Sequence, residues 1–309
     1  MKILVTGGAG FIASHVVDLY IENGFDVVVV DNLSNGRAEN VNPAATLYTM
    51  DIRDPQLAEV FATEKPDVVN HHAAQINVRR SVADPLYDAE VNILGSLRLI
   101  ELAKAYNVQH FIYISSGGAI YGEPEYLPCD EEHPIVPICQ YGASKHTVEH
   151  YLYMDALNHG LRYTVLRYGN VYGPRQDPEG EAGVVSIFTD LMLAGRQPAI
   201  NGDGEQSRDF VYVTDCAQAN LLALTVPHEN RAYNVGTGRA ASVNEIYHYL
   251  GEASGFPHPA VHGPAKVGET RHIYLSIDRI RQELGWEPEV DLAEGLSRTI
   301  AYFQQQKAA

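Results

Sequence analysis

Short apolar runs recur through the first half of the chain, separated by longer amphipathic stretches. Ile3-Leu4-Val5, Val27 to Val30, Val68-Val69 and Phe111 to Ile114 are brief, rich in β-branched residues and bounded by turn formers. That is the pattern of strands buried on both faces. Between them the apolar period lengthens. From Leu86 to Tyr106, the residues Val91, Leu94, Leu97, Leu99, Ile100 and Leu102 fall near helical spacing, and Tyr141 to Asn158 reads as a second long helix. Strand and helix alternate as far as a strand at Tyr163 to Arg167, which predicts an α/β chain with a doubly wound parallel sheet. From Gly173 to Gly204 glycine, proline and charge increase, and short strands then mix with modest helices. A smaller mixed α/β C-terminal lobe is expected there. The runs Phe210 to Val213 and Ala232 to Val235 are apolar enough to return to the first sheet. The expected division is residues 1–172, rejoined by about 210–236, with a second lobe from 173–209 and 237–309.

Composition narrows the classes of partner. The 309 residues are ample for a core, and 22 Lys and Arg against 39 Asp and Glu give a formal charge of -17. The acids are spread along the sequence, which argues against a phosphate-backbone partner and so against nucleic acid. Cys129, Cys139 and Cys216 are odd in number and lack CxxC spacing, as expected of reduced thiols. The apolar run at Ile3-Leu4-Val5 is too short for a signal peptide or membrane span. A cytoplasmic protein without a membrane partner is expected.

The first strand leads into Thr6-Gly7-Gly8-Ala9-Gly10-Phe11-Ile12-Ala13, and helical spacing continues through Val16, Leu19 and Tyr20. Glycines at 7 and 10 permit a tight turn and close approach of a pyrophosphate, which the first-turn N–H groups at Phe11 and Ile12 can hold. Ala13 takes the third position of the pattern, where Gly or Ala is accommodated. A strand-turn-helix context at the first junction makes this a dinucleotide site rather than any tight turn. The second strand ends at Asp31, followed by Asn32, where an acid reaches the adenosine ribose hydroxyls and repels a 2′-phosphate. NAD is therefore expected rather than NADP. Asp51-Ile52, after the next strand, is placed to flank the adenine.

Tyr141-Gly142-Ala143-Ser144-Lys145 sets a phenol and an ammonium on one face of a helix. A phenol has a pKa of about 10, and a neighbouring cation lowers it toward a useful base. Without further context the pair reads better as a surface Tyr and Lys on an amphipathic helix. Context exists: Thr-Gly-x-x-Gly-x-x-Ala, Asp31, His72-Ala73-Ala74-Gln75, Ser115-Ser116-Gly117 with Tyr121-Gly122, and Tyr-x-x-x-Lys occur in order. Together they resemble the extended short-chain dehydrogenase/reductase superfamily, whose nucleotide-binding domain is the Rossmann sheet. Leu166 to Gln176, Gly202-Asp203-Gly204 and Arg208 to Asp215 extend the likeness to its nucleotide-sugar epimerases and dehydratases, most of all the UDP-glucose 4-epimerases, over essentially the whole chain.

The resemblance implies a C4 epimerisation of a UDP-hexose with bound NAD, and a homodimer formed through the two long helices. It assigns Tyr141 as base and Lys145 to the nicotinamide ribose. Ala73, Ala74, Gln75, Asn92, Ser115 and Tyr168 fall near the cofactor, and Asn170, Arg208, Lys266 and Glu269 near the nucleotide diphosphate and uridine. A planar guanidinium such as Arg208 suits bidentate contact with phosphate.

One departure concerns the chemistry. The family's catalytic Ser or Thr stands four residues before the Tyr of Tyr-Gly, and that position is Gly117. Ser116 is the expected substitute near the substrate, with Ser115 or a water as alternatives. A 4,6-dehydratase would carry Asp-Glu where Gly118-Ala119 stand, an NADP-linked reductase conflicts with Asp31, and a non-catalytic sensor conflicts with the retained Tyr141 and Lys145. His146-Thr147-Val148-Glu149-His150 matches a zinc-protease pattern without a third ligand, so no metal is expected. His71 and His72 read as packing residues, and the sequon Asn32-Leu33-Ser34 is irrelevant without secretion.

Overall fold

A computed structural model describes residues 1–178, 183–228, 230–265 and 270–308. Its strands are β1 (Lys2–Thr6), β2 (Asp26–Asp31), β3 (Thr46–Thr49), β4 (Val68–His71), β5 (His110–Ser116), β6 (Tyr163–Tyr168), β7 (Asn170–Tyr172), β8 (Ala199–Asn201), β9 (Ser207–Arg208), β10 (Phe210–Tyr212), β11 (Arg231–Val235), β12 (Ala241–Ser242) and β13 (Val261–Gly263). The helices are α1 (Phe11–Glu22), α2 (Leu57–Glu64), α3 (Val78–Ala83), α4 (Pro85–Ala89), α5 (Ser96–Ala105), α6 (Gln140–His159), α7 (Val184–Leu193), α8 (Val213–Thr225), α9 (Val243–Ser254), α10 (Asp278–Leu284) and α11 (Leu292–Ala308).

Among the described residues, seven strands form one sheet in the order β11-β6-β5-β4-β1-β2-β3. Every neighbouring pair in it is parallel. The doubly wound α/β expectation holds, and the alternation of side chains explains why the strands read as continuous apolar runs. Ile3 and Val5 pack on one face with Val16, Val17 and Tyr20 of α1, while Leu4 between them packs on the other with Leu99, Ile100, Val148 and Leu152. Each strand is thus buried twice, and each such side chain contributes about 1.5–3 kcal/mol of burial.

Of the two later apolar runs, Arg231–Val235 joins the large sheet beside β6, whereas Phe210–Tyr212 pairs with β7 in a separate ribbon. A third apolar cluster unites α7, α9 and α11 through Phe188, Met192, Ile246, Leu250, Leu296 and Ile300. Ile280, Leu284 and Trp286 belong to the first cluster instead.

The stretch Leu86 to Tyr106 is helical but not uniform: α4 passes into a π turn, Glu90–Gly95, before α5. An inserted residue leaves the apolar spacing nearly unchanged, so periodicity does not reveal it. Such π turns often mark functional sites, and this one carries Asn92.

Candidate active site

Parallel register brings the C-terminal ends of the strands to one edge of the sheet, where Thr6 aligns with Val30 and His71, and Ser116 with Tyr168. Gly7 follows immediately, at φ +72°, and its N–H donates to Val30 O at 2.8 Å. A Cβ at Gly7 would stand 2.8 Å from the backbone nitrogen of Ala73, so only glycine fits between the turn and the segment after β4. Gly10 precedes α1 without a side-chain cap and without an acid in the first turn. By contrast α9 is closed by a full capping box from Ser242 and Glu245. The uncapped N–H groups at Phe11 and Ile12, with the positive end of the helix dipole, suit a pyrophosphate. The residues of the turn therefore fit NAD.

At the end of β2 Asp31 is 7% exposed, and its carboxylate accepts from Ala9 N–H at 3.0 Å and Leu33 N–H at 2.8 Å. Burial raises its pKa, and those two bonds oppose the rise. The acid thus shapes the turn, bonding to the backbone on both sides of it. Asn32 reaches Asp51 Oδ2 at 2.9 Å, and Arg53 grips the same carboxylate through Nε and Nη2, both at 2.8 Å. The Arg53 bonds hold the Asp51 carboxyl below the usual range. Ile52 is buried beside them.

Below the cleft lies a saturated polar layer. Gln75 N–H donates to Asn92 Oδ1 at 2.7 Å, and Asn92 Nδ2 donates to Gln75 O at 2.9 Å and to Asp88 Oδ1 at 3.0 Å. Asn92 also reaches Ser144 Oγ at 3.3 Å, linking the π turn to α6. Ala73 N–H is fixed by Thr6 Oγ1 at 3.2 Å, and Ala74 lies half-buried between the two anchors. His71 is sandwiched between Thr6 Oγ1 at 2.7 Å and Ser96 Oγ at 2.8 Å, a packing role as expected.

Tyr141 opens α6 at the cleft, half-buried, and its N–H is held by Ser81 Oγ at 3.1 Å. One turn on, Lys145 is 3% exposed and donates from Nζ to Ile114 O at 2.9 Å. The ammonium lies 5.9 Å from the Tyr141 ring centroid and 5.1 Å from that of Tyr113. Burial brings its pKa down to about 8, against the pull of the Asp88 and Glu149 carboxylates.

A further turn along, Glu149 pairs with Arg167, with Nη2 to Oε2 at 2.6 Å and Nε to Oε1 at 3.2 Å. Both are buried, and His146 Nδ1 meets the same carboxylate at 3.2 Å. The HxxEH pattern is thereby explained: its glutamate is half of a buried ion pair. Among the described residues no cluster of His, Cys, Asp or Glu is arranged to hold a metal.

Ser115 points to α6 and donates to Glu149 Oε1 at 2.5 Å, so its hydroxyl is committed away from the cleft and cannot replace the missing one. Ser116, next along the strand, faces the other way and is half-buried. Gly117 is glycine for a packing reason, since a Cβ would stand 2.6 Å from Leu275 Cδ1. A Cβ on Gly118 would instead lie 3.4 Å from Asn170 Oδ1. The glycine pair thus lets the loop close on Leu275 on one side and approach Asn170 on the other.

Tyr168 ends β6 with its hydroxyl hydrogen-bonded to Asn220 Nδ2 and its ring buried in the first apolar cluster. Asn170 N–H donates to Asp209 O at 2.7 Å, and Arg208 Nη1 donates to Ser207 O at 2.9 Å. The Arg208-Asp209-Phe210 motif gives no separate signal for the role of Asp209. Its buried carboxylate accepts from Thr237 N–H at 2.6 Å, Thr237 Oγ1 at 2.7 Å, Gly238 N–H at 3.2 Å and Leu275 N–H at 3.2 Å. It ties the Arg208 strand to the loop after β11 and to the Gly117 cover. Lys266 and Glu269 lie outside the described residues.

A family model described as the NAD dependent epimerase/dehydratase family matches residues 3–236. The chain belongs to that family. It is an enzyme of the extended short-chain dehydrogenase/reductase type, and its cofactor is NAD. A putative UDP-glucose 4-epimerase of Methanocaldococcus jannaschii is 49% identical over 302 residues, 98% of each chain. The Thermotoga maritima UDP-glucose 4-epimerase, solved with UDP-glucose, superposes with a TM-score of 0.97 at 49% identity, covering 99% of this chain and 100% of that one. The Thermus thermophilus UDP-glucose 4-epimerase, solved with NAD, gives 0.93 at 42% identity, with 98% and 99% covered. Within this family Tyr141, Lys145, the Gly7 turn and Asp31 converge on one edge of the sheet. No helix among the described residues is long and apolar enough to cross a membrane.

Proposed function

We propose that this enzyme interconverts the C4 epimers of a UDP-hexose of the UDP-glucose/UDP-galactose type, through a transient 4-keto sugar. The observation that carries the reading is the Tyr141–Lys145 pair, with the ammonium buried, anchored on Ile114 O and directed past the Tyr141 ring. Tyr141 takes the proton from the C4 hydroxyl and later returns it. Lys145 lowers the cost of the phenolate by its charge and, at the cofactor ribose, orients the reacting face. NAD, held by the residues named below, would supply reversible hydride acceptance at C4. Ser116 holds the sugar hydroxyl in place of the family's residue at 117. Gly7, Gly10, Phe11, Ile12, Asp31, Asn32, Asp51, Ile52, Ala73, Ala74, Gln75, Asn92 and the Ser115 and Tyr168 backbone form the cofactor's binding surface.

Asn170 and Arg208, with Lys266 and Glu269, hold the UDP portion, the guanidinium on the diphosphate. We also propose a homodimer through α4, the π turn and α6, supported by Leu86, Leu94, Tyr153 and Leu157, which are 77%, 59%, 54% and 68% exposed. The decisive experiment incubates purified protein with UDP-glucose, and separately with UDP-N-acetylglucosamine, without added NAD. Formation of the C4 epimer is expected from UDP-glucose. Formation from neither, with cofactor confirmed bound, overturns the reading.

A further inference from the structure

Asp88 is the acid of α4 and is 1% exposed. Its Oδ1 accepts from Gln75 Nε2 at 2.9 Å and Asn92 Nδ2 at 3.0 Å, both neutral amides. A carboxylate buried to that degree is costly, and two amide bonds offset only part of the cost. Asp88 and Glu149 are the two carboxylates that favour the charged form of the buried Lys145 ammonium.

We infer that Asp88 is a positioning residue for the Tyr141–Lys145 pair, its buried carboxylate fixing Gln75 and Asn92 against the helix that carries the pair. The inference rests on Tyr141 being the proton carrier. The charges facing Lys145 separate the candidates. On its own helix stand Tyr141 and Glu149, on β5 Tyr113, on β4 and just after it His71 and His72, on β6 Arg167, and on α4 Asp88. Burial keeps His71 and His72 neutral and raises the Tyr113 phenol. Glu149 is paired with Arg167 at 2.6 Å, so its charge is shared between that guanidinium and Lys145. Asp88 makes its hydrogen bonds to neutral amides, Gln75 Nε2 and Asn92 Nδ2, rather than to a cation. The amide layer completes the device: Asn92 joins Asp88 to Ser144, the residue before Lys145, and so couples the carboxylate to α6 mechanically as well as electrostatically.

The test uses the NAD-loaded protein without sugar, so that its outcome is independent of which substrate is turned over. Absorbance of tyrosinate is titrated against pH in the unaltered protein, in Asp88→Asn and in Asp88→Ser, each with a Tyr141→Phe counterpart that isolates the Tyr141 step. Circular dichroism and bound-NAD content identify the variants that fold. Neutralising Asp88 is expected to move the Tyr141 step upward by about one pH unit, with Asp88→Glu restoring most of it. The direction is diagnostic, because a carboxylate acting on Tyr141 directly rather than through Lys145 would, when removed, let the step fall. The acid limb of the turnover profile should move by the same amount and in the same direction. A Tyr141 step unmoved or lowered in a folded neutral variant, or moved equally by Asp88→Glu, overturns the inference. A raised step in protein that epimerises neither UDP-sugar overturns the proposed reaction and leaves the role of Asp88 standing.

Discussion

Beneath Lys145 the charged groups are buried and held by hydrogen bonds: Glu149 with Arg167, His146 and Ser115, and Asp88 with Gln75 and Asn92. On the side of the cleft that carries Arg208 the charges meet in water, as where Asp203 and Arg271 pair bidentately with side chains 57% and 52% exposed. The two regions answer different demands. Moving a proton at Tyr141 needs a fixed field, and a fixed field requires polar groups held by bonds on every side in a low dielectric. Gripping a nucleotide sugar needs cations that exchange water for phosphate, which half-exposed arginines on short strands can do.

The sharpest way to break the comparison is at its centre. Tyr141→Phe should keep the fold and bound cofactor but lower turnover about 10²- to 10⁴-fold, with KM little changed; initial rates on saturating UDP-glucose check it. An unchanged output would make the protein a sensor.

Glu149→Ala comes next, since it leaves Arg167 buried without its partner. A loss of about 3–5 kcal/mol is expected, read as the urea midpoint. Stability unmoved by that change would mean the floor is not held by its ion pair.

On the other wall, Arg208→Ala should raise KM about ten- to a hundredfold, the worth of a charge-assisted contact, with turnover at saturation nearly kept. A fall in turnover alone would place Arg208 in the chemistry instead.

The pH profile sharpens the contrast by sign. Lys145 must be charged to act, and its pKa in the fold is brought to about 8 from 10.5 by burial. Turnover should therefore fall about tenfold for each pH unit above that value. The unfolded chain holds the same proton more tightly, so this group's contribution to stability rises from about pH 8 to 10.5 while activity falls. Parallel loss of activity and stability across that window would contradict the assignment.

The smallest effect is expected at the exposed pair. Asp203→Asn should leave the midpoint of thermal unfolding within about 2 °C and turnover unchanged, because water screens the interaction.

The cofactor turn is legible in the sequence because glycine at 7 and 10 and an acid at 31 report local geometry, and local geometry is written in neighbouring residues. The Tyr141–Lys145 spacing is legible for the same reason, one turn of helix. Ser115 is different: its position beside Gly117 suggests a stand-in for the absent hydroxyl, and the suggestion fails. Only the alternation of β5 against α6 shows that it is bonded to Glu149, 34 residues away. Glu149 itself reads as part of a metal pattern, since sequence gives its spacing to two histidines and not its distance to Arg167. Gly117 likewise reads as a deficit until Leu275 is seen against it.

What the sequence by itself determined is the α/β alternation, the glycine turn after the first strand, the NAD cofactor and the one-turn spacing of Tyr141 and Lys145, all written in neighbouring residues and recurring motifs. What only the tertiary structure decided is which polar groups became the floor. Asp88, Asn92, Glu149, Arg167 and Asp209 take their roles from partners brought close by parallel register and helix packing. The cost of burying them is offset only when those partners arrive together.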